Sequence, residues 1–107
     1  MQVLLDECLP KRLKRELPGH EVKRVQEMGW AGIKNGALLN LIQTGGFDAF
    51  VTIDGNLEHQ QNLRAISFAV IVLSAPDNTF DTLRPLMPEV MEVLRTIKAA
   101  EVVYVQA

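Results

Sequence analysis

Val3-Leu4-Leu5-Asp6-Glu7 and Ala49-Phe50-Val51-Thr52-Ile53-Asp54 are two apolar runs that each end in an acid. Short apolar runs closed by turn signals read as strands buried on both faces, which points to a parallel sheet. In an open α/β sheet, ligands bind beyond the carboxyl ends of the strands. Asp6 and Asp54 are therefore candidates to meet in one crevice despite their distance in sequence. Carboxylates gathered there suit a hard divalent cation, Mg²⁺ or Mn²⁺.

Working outward, Pro10 follows the first strand and suits the first position of a helix. Leu9, Leu13 and Leu17 recur every four residues, which predicts an apolar stripe on an α-helix ended by Pro18-Gly19. Glu21–Val25 is charged and alternating, as an edge strand is. A second helix is expected over about Asn35 to Thr44, with Leu38, Leu39, Leu41 and Ile42 buried and Gly45-Gly46 ending it. After Asp54, Asn56 is an expected N-cap for a short helix from Leu57 to about Arg64. Phe68 to Leu73 reads as the clearest strand, and Val102 to Val105 as the last. Between them, Asn78 or Thr79 caps a helical segment that Pro85 and Pro88 divide or kink. The alternation predicts a single-domain, three-layer α/β/α sandwich with a mainly parallel five-stranded sheet, in an order such as 2-1-3-4-5. In that order the strands ending at Asp6 and Asp54 are neighbours.

The chain has 107 residues, 48% hydrophobic and 22% charged, which fits one folded domain rather than a disordered segment. No apolar run reaches the ~18 residues of a membrane span. Asp6 and Glu7 interrupt anything resembling a signal peptide, and a single cysteine, Cys8, fits a reducing compartment, so a cytoplasmic protein is expected. The net charge of −2 does not advertise nucleic-acid binding, which would need a local basic patch. Lys11, Arg12, Lys14 and Arg15 are one such group: they either track a phosphate backbone or form a solvated helix face. Trp30 either stacks on a base or packs on the second helix. His20 and His59 are too few and too scattered for zinc. Asp6 and Glu7 either serve chemistry or cap the following segment, and Asp54-Gly55 either serves chemistry or forms a turn. Cys8, beside carboxylates, reads as packing rather than nucleophile. No P-loop, GxGxxG, GxSxG or CxxC pattern is present. A phosphate-acceptor domain would want a lysine after a later strand, and none follows Leu73-Ser74-Ala75-Pro76.

Leu4-Leu5-Asp6-Glu7, Met28-Gly29-Trp30 with Gly32-Ile33-Lys34-Asn35-Gly36, and Thr52-Ile53-Asp54-Gly55-Asn56-Leu57 with Gln60-Gln61-Asn62-Leu63 together resemble a bacterial group of PIN-like proteins similar to VapC-type toxins. The resemblance runs over nearly the whole chain and implies a metal-dependent endoribonuclease, with the toxin of a toxin–antitoxin pair as one form it takes. It places Asp6 and Asp54 on metal-binding positions for Mg²⁺ or Mn²⁺, with Glu7 ligating beside them or positioning water. Lys34, Asn56 and Gln60 would contact phosphate or hold the acids. The implied partners are RNA and a small antitoxin protein; separately, apolar helix faces on a small domain permit a second copy of the chain as partner, and the absence of a long apolar run speaks against a membrane. Relatives carry a further acid near the start of the second helix, where this chain has Asn35-Gly36-Ala37, and often Asn where it has Cys8. The alternative is a module that has lost the metal chemistry and acts by binding RNA or protein.

Overall fold

Side-chain alternation along β1 (Gln2–Leu5) sends Val3 and Leu5 to one face of the sheet and Leu4 to the other, all three fully buried. The same alternation splits β3 (Ala49–Thr52), with Ala49 and Val51 on one side and Phe50 on the other. It also splits β4 (Ala69–Ser74), where Ile71 and Leu73 oppose Val70 and Val72. A strand with apolar side chains on both faces needs cover on both, and it has it. The structure is a computed structural model that describes residues 1–55 and 66–106.

With β2 (Glu21–Arg24) and β5 (Val102–Gln106), these strands form a five-stranded sheet in the order β2-β1-β3-β4-β5. Every neighbouring pair is parallel, so the expected sheet is not mainly but wholly parallel. β2 lies at one edge, as its charge predicts, and exposes Glu21 and Lys23. Charged side chains on an edge discourage pairing with another chain.

Helix α1 (Asn35–Thr44) has the bounds the sequence predicts, and it buries Leu38, Leu39 and Ile42 against the face that carries Leu4 and Phe50. Its end is tight. A Cβ on Gly45 would lie 3.1 Å from the Leu41 carbonyl oxygen and 3.2 Å from the Phe47 ring, and Gly46 takes a φ of +76° that side chains rarely adopt. Trp30 packs into this same cluster and meets Phe47 edge-on, with ring centroids 6.1 Å apart. Packing on the second helix is thus its structural role.

The opposite face is covered by the Leu9–Leu17 segment and by the C-terminal helices. Thr79 caps α2 (Phe80–Leu83) by accepting from the Thr82 N–H, and a 3₁₀ turn through Pro85 joins it to α3 (Met87–Thr96). The two prolines therefore divide the segment, as expected.

The Leu9–Leu17 segment is a correction. Lys11–Glu16 is a 3₁₀ helix rather than an α-helix, with Pro10 at its N-cap. Successive N–H groups bond three residues back: Leu9 to Asp6, Leu13 to Pro10, Leu17 to Lys14. Pro18 disfavours helical backbone at Leu17, which sits at φ −122° and ψ 59°, so the helix has no room to lengthen. Leu9, Leu13 and Leu17 are all buried even so. Among the described residues no helix is long and apolar enough to cross a membrane.

Candidate functional site

Parallel register sets the site. β1 pairs with β3 so that Leu4 faces Phe50 and Leu5 faces Val51, which brings Asp6 beside Thr52 one step later. The backbone N–H of Asp6 donates to the Val51 carbonyl at 2.9 Å, continuing the ladder to the strand end. Asp6 and Thr52 share the parity of Leu4 and Phe50, so both lie on the α1 side.

The Thr52 hydroxyl joins the two acids. It donates to Asp6 Oδ2 at 2.6 Å and accepts the Asp54 N–H at 3.0 Å. Thr52 is fully buried and is the one buried polar residue among the described residues. A buried hydroxyl needs partners for its donor and its acceptor, and here both partners belong to the acidic residues. Asp54 is held again from α1, where Asn35 Nδ2 donates to Asp54 Oδ2 at 3.1 Å.

Asp6 Oδ1 accepts the Glu7 N–H at 2.8 Å. Burial pushes the Asp6 carboxyl above its ordinary value, the bonds from Thr52 and the Glu7 N–H pull the other way, and the charges of Glu7 and Asp54 add to the rise. Negative charge is thus concentrated at this edge of the sheet. Beside it, the Cys8 thiol is exposed rather than packed in the core as expected, and it is pushed up by desolvation and then by the charge of Asp6, which disfavours a thiolate.

Glu7 turns elsewhere. Its carboxylate accepts the Gly32 N–H at 3.1 and 3.3 Å, and its carbonyl accepts from Gln26 Nε2 at 3.2 Å. It fastens the Gly29–Gly32 loop to the end of β1. Lys34 is exposed at the N-cap of α1, immediately before Asn35. Asn56 and Gln60, with the expected helix around them and His59, lie outside the described residues. Ala37 is exposed in the first turn of α1.

Thr52 and Asn35 are the residues whose parts the sequence reading missed. The available signal was Thr52 itself, a polar residue closing a strand that is otherwise wholly apolar. Of the two residues expected to cap the helix after β4, one does so and the other has a different partner. Thr79 is the cap, while Asn78 Nδ2 donates to the Cys8 carbonyl at 2.8 Å and ties the loop after β4 to the residue after the acids.

Among the described residues no three His, Cys, Asp or Glu side chains are grouped so as to hold a metal ion. The pair Asp6 and Asp54 offers oxygen donors only, with a partly buried negative charge, and this suits Mg²⁺ or Mn²⁺ that keeps most of its own waters. Beyond Asp54, a notch of about 130 Å³ opens between Ile53, Gly55, Ser74 and Tyr104 at the same edge of the sheet. Comparison with known proteins finds no matching family model, no matching curated protein and no matching solved structure.

Proposed function

We propose that the acidic edge is a divalent-cation site that hydrolyses RNA, in the manner of the PIN-like endoribonucleases the sequence resembles. One observation carries the reading: a buried hydroxyl joins two acids from adjacent strands at the sheet's carboxyl edge, 2.6 Å from one carboxylate and 3.0 Å from the other residue's N–H. In this reading Asp6 and Asp54 hold Mg²⁺ or Mn²⁺. When bound, such an ion supplies an acidified water and neutralises charge developing on the scissile phosphate. Thr52 keeps Asp6 in position, and Asn35 does the same for Asp54. Glu7 holds the loop that borders the site, and Lys34, Asn56 and Gln60 contact phosphate. The protein would act in the cytoplasm, with a small antitoxin protein and a second copy of itself as further partners.

Purified protein incubated with single-stranded and structured RNAs and Mn²⁺ should cleave them, and the Asp6→Asn, Asp54→Asn double variant should not. Equal cleavage by both preparations, or by neither, sinks the nuclease reading.

A second reading has its own support. Ala37 stands where an acid is expected, and the described residues offer two carboxylates rather than three. The chain would then bind RNA or protein without metal chemistry. In that case Mn²⁺ leaves the melting temperature unchanged, whereas a ligand that binds the folded state must raise it.

A further inference from the structure

The 3₁₀ geometry of Lys11–Glu16 changes what its cations can do. Side chains three apart eclipse each other in such a helix, about 6 Å apart along the axis. Lys11 and Lys14 therefore form one row, Arg12 and Arg15 a second, and the buried Leu13 anchors the third side. An open groove of about 500 Å³ lies among these four cations. The second row borders another groove of about 160 Å³, shared with Glu16, Phe80 and Arg84.

The cations are not alike. Lys14 is neutralised by Glu27 at 2.8 Å and Arg84 by Glu16 at 3.4 Å. Among the described residues no carboxylate pairs with Lys11, Arg12 or Arg15, and all three are exposed. The Arg12 guanidinium carbon lies over the Phe80 ring, 4.1 Å from its centroid, with that of Arg84 5.9 Å from the same centroid. A solvated cation has no need of this. Contact with the ring holds the guanidinium against protein, and its exposed side remains open to a phosphate and a base. Asn78, two residues before Phe80, also donates to the Cys8 carbonyl and so links the loop carrying Phe80 to the segment that follows the acids.

We propose that Lys11, Arg12 and Arg15, with Arg12 backed by Phe80, form a contact surface for the phosphate backbone of a single-stranded polynucleotide. The groove is concave, carries unpaired positive charge in a chain of net charge −2, and presents a flat cation on which a base can stack. The proposal stands apart from metal chemistry. An acidic protein segment would match the charge but would leave the planar guanidinium over Phe80 unused.

The test measures binding of fluorescent oligouridine and oligodeoxythymidine in EDTA, so that failure of the nuclease reading leaves it untouched. Three phosphate contacts give a log–log salt slope of about −2, or on the order of a 20-fold loss of affinity between 50 and 200 mM salt. Arg12→Ala with Arg15→Ala should weaken both oligomers roughly tenfold and bring the slope to about −0.7. Arg95→Ala with Lys98→Ala, which removes the same charge elsewhere, should change affinity by less than about twofold. Arg12→Lys should keep the slope yet bind more weakly, because the guanidinium plane is lost. Four results overturn the proposal: unchanged binding in the Arg12, Arg15 variant; equal loss in the Arg95, Lys98 control; binding of the ribo-oligomer alone; or tighter binding of polyglutamate than of an oligonucleotide of equal charge.

Discussion

Asp48 and Asp54 stand at opposite ends of one strand, β3, and do opposite things. Asp48 finishes the sheet. Its carboxylate accepts the Gln2 N–H at 2.7 Å, its own N–H donates to the Gln2 carbonyl at 2.8 Å, and its carbonyl accepts the Ala69 N–H at 3.0 Å. Three strands are stitched by one residue. Asp54 is held instead by side chains, Thr52 behind it and Asn35 across from it, and its charge adds to the rise at Asp6. The difference teaches how to sort acids at strand ends. One that closes backbone hydrogen bonds has a structural duty, whereas two that share a buried hydroxyl concentrate negative charge, which in the proposed reading holds a cation.

The largest effect that would break this comparison lies in Mn²⁺-dependent RNA cleavage. Asp54→Asn should lower it by a hundredfold or more on the order-of-magnitude scale of lost electrostatic stabilisation. Asp48→Asn should leave both the cleavage and the Mn²⁺-induced rise in melting temperature intact. Comparable losses in the two variants would mean that the ends of β3 are not functionally distinct.

Next in size is the buried hydroxyl. Thr52→Val keeps the shape and removes both the donor to Asp6 and the hydroxyl that the Asp54 N–H donates to. Stranding a buried polar group costs about 1–3 kcal/mol, and Thr52→Ser should recover most of it. Denaturant unfolding measures both. The support that a neighbouring hydrogen bond gives a metal ligand is worth about 10–100-fold in affinity, so Mn²⁺ binding should weaken with the valine variant as well. At the other end, Asp48→Ala should cost about 1 kcal/mol, because water can replace its bond to the exposed Gln2 N–H, and Mn²⁺ binding should not change.

Most of the fold was legible because buried strands write themselves as apolar runs. Val3–Leu5, Ala49–Val51 and Phe68–Leu73 carry the parallel sheet, and α1 is written by its leucines and by Gly45-Gly46. The four-residue spacing of Leu9, Leu13 and Leu17 misled, because it fits an α-helix and the structure uses successive three-residue turns between two prolines. Periodicity records which side chains are buried; it does not record how tightly the backbone winds. At the candidate site, strand-end position was enough to place Asp6 and Asp54 just beyond two neighbouring strands. The linkage through Thr52, the grip of Asn35 and the turning of Glu7 toward Gly32 depend on register and loop path. None of these has a periodic trace in the sequence.

The smallest expected effect is the most specific to the charge at this edge. Asp6 is raised chiefly by burial, so the folded protein holds a proton there at a pH where the unfolded chain has released it. Wherever the folded state binds more protons, stability falls as pH rises. The penalty therefore develops from the ordinary carboxylate value of 3.8 up through the raised value, and stays constant above it. It is small because the Thr52 hydroxyl and the Glu7 N–H favour the ionised form and offset part of the burial. Asp6→Asn removes the ionisation. In metal-free buffer, the melting temperature of wild type relative to this variant should drop between pH 3 and neutrality, and Asp48→Asn should show no matching drop. Mn²⁺ should restore the wild type at neutral pH and do nothing for Asp6→Asn. A flat difference across that range would mean that Asp6 carries no penalty for a cation to relieve, and Asp6 would then belong with Asp48 as a residue that only completes the fold.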